Sequence, residues 1–214
     1  MTTRIDAFNA AALFIAAVLG YGLGRYRAYS FQNRGEARLA RSLQRHFESP
    51  DYHLLNNVTL RVRDGTTQVD HILVSRFGVF VIETKDYQGW IFGDAQSARW
   101  TQVLYRRKFR FQNPLLQNFK HLRIVQEILD FLPASAIKPV VVFTGSAEFK
   151  TPIPKGVFSK AGVIDYIKGQ REELLSLNRV QFCVGRLESV RLALTRKTDV
   201  AHVERLRRRY GNAD

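Results

Sequence analysis

The chain has a single cysteine, Cys183, among its 214 residues. One thiol excludes an intrachain disulfide and a thiolate metal centre. Cys183 lies in the strand-like run 180–184, where it reads as a small buried residue. Acidic residues are also scarce: 19 Asp and Glu stand against 33 Lys and Arg, for a net charge of +14. Such a surface draws polyanions, either nucleic acid or the anionic face of a membrane. Internal repeats and low-complexity tracts are absent, so a repeat array is excluded. What remains suits one soluble domain with appendages, and at 45% hydrophobic residues it can build a core without staples.

Residues 7–24 carry no charge at all. The run is close to the minimum of about 17 residues for a membrane-spanning helix. Tyr21, Tyr26 and Tyr29 gather at its end, and Arg25, Arg27 and Arg34 follow at once. Arg4 and Asp6 before it nearly cancel. The positive-inside rule therefore puts a single-pass helix in the cell membrane, with everything after Arg25 in the cytoplasm. A cleaved export signal and a buried helix are the competing readings.

Beyond the apolar run the periodicity predicts an amphipathic helix over 35–47, ended by Ser49-Pro50-Asp51. It then shifts to period two, giving strands over 53–62, 67–75 and 78–85. Shorter strands are expected at 89–92 and 100–105. Asn113-Pro114 opens a helix over 115–132, which Pro133 closes. Residues 138–144 read as a buried strand, and 156–167 as a strand and a helix start. Residues 187–194 and 200–210 suggest a basic helix or helix pair, whose Arg205, Arg207, Arg208 and Arg209 suit anionic lipid or DNA.

The chemistry concentrates in one hairpin. If Arg76 and Phe77 form the turn, Ser75 pairs with Gly78, Asp70 stands opposite Glu83, and Gln68 opposite Lys85. Facing side chains lie about 5 Å apart. Two carboxylates at that distance raise each other's pKa, and a divalent cation between them removes the conflict. Oxygen-only ligation open to water suits Mg²⁺ or Mn²⁺. Lys85 shares the face, where it can hold or deprotonate a water or stabilise phosphorane charge. The bland reading is a solvated hairpin face with Asp70 and Lys85 as a diagonal ion pair. A register slip of one residue would also move Asp70 to the other face.

The strings Gly35-Glu36, Gln68-Val-Asp70-His71-Ile-Leu-Val, Gly78-Val-Phe-Val-Ile-Glu83-Thr-Lys85, Gly89, Trp100 and Asn113-Pro114-Leu-Leu-Gln117 resemble the nuclease-related domain (NERD) family. That family is in turn similar to the PD-(D/E)xK nuclease superfamily. The resemblance implies an α/β fold, a mixed central β-sheet flanked by helices as in restriction endonucleases. It implies Asp70, Glu83 and the Thr84 carbonyl as metal ligands. Lys85 would be the catalytic lysine, Glu36 would bind a second metal or orient water, and Gln117 would position phosphate or Lys85. The expected segments are a transmembrane helix at 7–24, the nuclease-like core at 32–132, the rest of the α/β domain at 133–186 and a basic helical tail at 187–214.

The function expected is a membrane-anchored, Mg²⁺- or Mn²⁺-dependent nuclease acting on DNA rather than RNA. Its alternatives are a non-catalytic, membrane-tethered nucleic-acid-binding or scaffold module of the same family, and a tethered module for a protein partner. Arg106, Arg107, Lys108 and Arg110 are the expected backbone contacts, against the reading of a solvated basic edge that blocks aggregation. His71 reads as a core histidine. Trp90 and Trp100 read as core or rim aromatics, with base stacking the lesser alternative.

Overall fold

The structure, a computed structural model, describes residues 34–63 and 65–192. The expected span at 7–24 and most of the expected tail at 187–214 lie outside these residues. Among the described residues no helix is long and apolar enough to cross a membrane.

Helix α1 covers 34–46. Strands β1 (Tyr52–Val62), β2 (Gly65–Ser75) and β3 (Gly78–Lys85) follow as an antiparallel meander. The β2–β3 turn is locally encoded. Gly78 takes φ +130°, which a side chain rarely adopts. Ser75 Oγ donates to Gly78 O at 2.8 Å and accepts from Phe77 N at 3.2 Å. The resulting register, Ser75↔Gly78 through His71↔Ile82, is the one the turn residues predict.

The chain then builds a second sheet from β4 (Gly89–Phe92), β5 (Arg99–Leu104) and β6 (Arg107–Gln112) before α2 (Pro114–Ile128). Asn113 caps α2, accepting from Leu115 N at 2.9 Å, with Pro114 in the first turn. The same side chain donates to Ser97 O at 2.8 Å, which ties the 93–98 loop to the helix start. A short 3₁₀ turn (Ala134–Ala136) leads into β7 (Ile137–Phe143). Then come β8 (Ala147–Phe149), β9 (Val157–Ser159), α3 (Lys160–Lys168) and α4 (Leu177–Val190).

The main sheet has the order β1-β2-β3-β7-β9, with β7 and β9 parallel to β3; the second has the order β6-β5-β4-β8. Helices cover both faces of the main sheet, so β3 is buried along its whole length. Val79 and Val81 face a cluster with Leu122 and Val125 of α2 and Val180, Cys183 and Leu187 of α4. Phe80 and Ile82 face Leu39 and Leu43 of α1 and Val163 and Ile167 of α3. Trp100, fully buried, joins the second sheet to Phe143 of the first.

Two expectations change here. Cys183 is not in a strand: 180–184 lie inside α4, where Val180, Cys183 and Leu187 repeat at helical spacing on the buried side. A short apolar run does not by itself tell strand from helix. The expected boundary between 186 and 187 therefore falls within a helix, and Leu187 belongs to the core rather than to a tail.

Strict alternation also fails at one place. Leu55 and Ile72 are paired, as are Val58 and Val69, and all four join the same cluster although period two would put the pairs on opposite faces. The shift occurs at Asn57, whose φ is +51°. Pairing resumes on either side in unchanged register, Asn56↔His71 and Val58↔Val69, which places Asp70 across from Asn57. The backbone irregularity thus sits beside the first candidate ligand.

Candidate active site

The β2–β3 ladder ends one step short of the candidate pair. Where the register would set Asp70 against Glu83, Asp70 Oδ2 instead accepts the backbone N–H of Thr84 at 2.7 Å. β3 continues alone against β7, through Glu83↔Val141, Thr84↔Val142 and Lys85↔Phe143. The expected Gln68–Lys85 pairing is accordingly absent, since the β2–β3 ladder stops at His71↔Ile82. The amide beside Lys85 comes from α2: Lys85 Nζ donates to Gln117 Oε1 at 3.1 Å and to Glu83 Oε1 at 2.6 Å.

Helix α2 is held over β3 by a buried amide. Asn118 Nδ2 donates to Val81 O and Val140 O, each at 2.9 Å. Val81 stands opposite Pro139, which has no N–H to give to the ladder. This anchoring lays Gln117 against Lys85. One turn on, His121 Nδ1 comes within 3.4 Å of Glu83 Oε2. His121 was not foreseen, although its i+4 spacing from Gln117 puts it on the same helix face.

Glu36 arrives from the other side of the sheet on the first turn of α1. A Cβ on Gly35 would lie 2.5 Å from Asp86 Cβ and 2.7 Å from Thr144 Oγ1, so only glycine permits this approach. Arg38 Nη2 lies 2.7 Å from both carboxylate oxygens of Asp86, which locks the helix to the end of β3. These docking residues were also missed, because the signal is a close contact between segments far apart in sequence.

The electrostatics tie the four charges together. Burial, with Glu83 beside it, pushes the Glu36 carboxyl up to about 7, against the pull of Lys85. Burial and the Glu83 and Glu36 carboxylates lift Asp70 well above the ordinary range, although Lys85 and the Thr84 N–H favour its ionised form. Burial works against the charge of Lys85, but Glu83 and Asp70 outweigh it and hold the ammonium above its usual value. The structure thus brings together Glu36, Asp70, Glu83, Lys85 and Gln117.

Arg106, Arg107, Lys108 and Arg110 do not join this cluster. They are exposed on the β5–β6 hairpin of the second sheet. His71, as expected, is a core residue: it is buried, and its Nδ1 lies 2.7 Å from Asn56 Oδ1.

Among the described residues no group of three or more His, Cys, Asp or Glu is arranged to hold a metal on its own. The donor set still fits a small, hard cation, because Mg²⁺ needs only one or two carboxylates and keeps much of its water. Glu83 Oε2 is buried and accepts no hydrogen bond among the described residues, with His121 Nδ1 3.4 Å away, so it is an oxygen such a cation could take.

A model of the nuclease-related domain family matches residues 32–144, more than half of the chain. A relative from Bacillus anthracis, an uncharacterized protein, is 44% identical over 97 residues. That match spans 45% of this chain and 45% of the relative, less than half the length of either. No solved structure matches. Family match and site geometry agree: the chain belongs to the nuclease-related domain (NERD) family.

Proposed function

We propose that the chain is a divalent-metal-dependent nuclease that hydrolyses phosphodiester bonds, DNA rather than RNA, at the end of β3. One observation carries the reading: Asp70, Glu83, Lys85, Gln117 and Glu36, contributed by two strands and two helices, gather at a single site in which Glu83 and Lys85 are buried and the other three half-buried. Asp70, Glu83 and the Thr84 carbonyl would hold Mg²⁺ or Mn²⁺. A cation bound there supplies charge to polarise the phosphate and a lowered pKa for a bound water.

The protein groups have separable tasks. Without a cation, Glu83 and Asp70 favour the charged form of Lys85, which suits it to stabilise charge on the phosphoryl oxygens. Gln117 holds the ammonium in place through its 3.1 Å bond. Glu36, near 7, has the affinity to accept a proton from the attacking water at working pH. The residues at 7–24 would tether the domain to the inner face of the cell membrane.

The test is incubation of plasmid and linear DNA with the full chain and Mg²⁺ or Mn²⁺. Nicking or degradation that is lost in Asp70→Ala and in Lys85→Ala supports the reading. Cleavage that survives both substitutions removes the site assignment. Salt-sensitive DNA binding with no product under any metal selects the non-catalytic module instead.

A further inference from the structure

Strand pairing sorts the second sheet into two faces. Opposed residues share a face, so Trp90, Val103 and Lys108 form one row and Phe92, Thr101 and Arg110 the next. The opposite face carries Ile91, Trp100 and Phe111, which pack into the core. The basic run at 106–110 is therefore not one continuous track. Lys108 and Arg110 point to the outer face, whereas Arg107 shares a side with Phe109 and Phe111.

The outer face is exposed and aromatic. Trp90 is 48% exposed and Phe92 is 38% exposed, on a sheet whose other side is core. Two neighbouring large rings exposed together on one sheet face form a contiguous apolar patch, the kind that marks an interaction site. The two rings are two residues apart on one strand, about 7 Å. The Lys108–Arg110 row runs beside them two strands away, about 10 Å. Lys150 Nζ lies 5.0 Å from the Trp90 ring centre and pairs with Glu148, the carboxylate opposite Trp90.

Rings flanked by a parallel row of cations match bases flanked by their phosphates. Only an unpaired strand offers its base faces in this way, because in a duplex they are stacked inside. We infer that the outer face of the second sheet is a stacking platform for single-stranded nucleic acid, with Trp90 and Phe92 taking successive bases and Lys108 and Arg110 taking the backbone. The platform and the candidate active site are neighbours along the chain. Trp90 follows Lys85 by five residues, at most about 18 Å of chain, and β6 runs straight into the helix that carries Gln117.

As a statement about substrate this rests on the nuclease reading, but its test does not use cleavage. The full chain in detergent, with EDTA present, is titrated with a fluorescent oligo(dT) of about 20 nucleotides and with a duplex of the same length. Binding is followed by anisotropy and by Trp90 fluorescence, with buried Trp100 as the silent second tryptophan. Trp90→Ala with Phe92→Ala should weaken oligo(dT) binding about thirtyfold or more while duplex binding moves less than about threefold. Trp90→Phe should restore most of the loss. Lys108→Ala with Arg110→Ala should lower the salt slope by about 1.4.

Unchanged oligo(dT) affinity in the double aromatic variant, with its circular dichroism intact, overturns the inference. So does an equal loss for single strand and duplex. A chain that never cleaves but binds oligo(dT) through Trp90 keeps the platform and loses the nuclease. A chain that cleaves DNA but whose oligo(dT) affinity is unchanged when Trp90 and Phe92 are removed does the reverse.

Discussion

Replacing Glu36 by glutamine should stabilise the metal-free protein, and should do so only at high pH. The native carboxyl is lifted from 4.5 to about 7 by burial and by Glu83. A folded-state value above the unfolded one means that the folded chain binds the proton more tightly. The wild-type chain therefore loses stability as pH rises through the interval from 4.5 to about 7 and carries the full penalty above it. At roughly 1.4 kcal/mol per unit the shift corresponds to about 3 kcal/mol. Glutamine has the shape of the protonated acid and no charge to bury. The variant should match wild type at pH 4.5 and exceed it by about 3 kcal/mol at pH 8.5, or about 6–12 °C in Tm for a domain of this size.

Comparing the two proteins at each pH is necessary because His71 acts in the opposite direction. Burial lowers it to about 4, so stability falls as pH drops from 6.5 toward that value, and the two effects offset each other in wild type alone. The measurement is thermal melting of both chains in EDTA from pH 4.5 to 8.5. A cation should then raise the Tm of wild type at pH 8.5 by more than that of the variant. Curves that stay within about 1 °C of each other throughout would show that Glu36 is not held against Glu83, and the clustered-acid argument would fail.

Gly35→Ala should destabilise by about 1–3 kcal/mol in urea unfolding, because the 2.5 Å approach to Asp86 outweighs the usual gain of less than about 1 kcal/mol from alanine in a helix; any stabilisation would mean that α1 does not dock as described. Asn118→Leu should cost about 2 kcal/mol or more, since it strips a donor from two buried carbonyls, whereas exposed Asn57-side hairpin positions such as Arg61→Ala should stay within about 0.5 kcal/mol.

Local rules placed the strands around the site and failed where distant segments decide. The β2–β3 register was legible because a Gly-containing turn sets it and a period-two pattern buries both sides of β3. Asp70, Glu83 and Lys85 could be placed at one end of that hairpin from spacing alone. The departure at Asp70 could not, because it arises when a side-chain oxygen takes the Thr84 N–H in place of a ladder bond. Glu36 and Gln117 came only through family resemblance, since each reaches the site on a helix from a different face of the sheet. Arg38, Asp86 and Asn118 left no periodic trace: each acts through hydrogen bonds spanning 22 residues or more. The 180–184 run misled because five residues fit either period.

The cluster also carries an argument against a purely structural ion pair. A structural pair balances its charges, and burying it is tolerable only on that condition. Here Glu83 and Lys85 already satisfy each other at 2.6 Å. Asp70 and Glu36 are then left with no cation of their own among the groups that shift them, apart from the same lysine. Fully ionised, three carboxylates and one ammonium leave two negative charges, which is what one divalent cation neutralises. In its absence burial and the neighbouring carboxylates raise the proton affinity of both acids. Metal binding and proton release are therefore two descriptions of one equilibrium. Calorimetric titration with Mg²⁺ near pH 7 should release protons to the buffer, detected as a heat that scales with buffer ionisation enthalpy. Binding with no buffer dependence would place the ion somewhere other than between these acids.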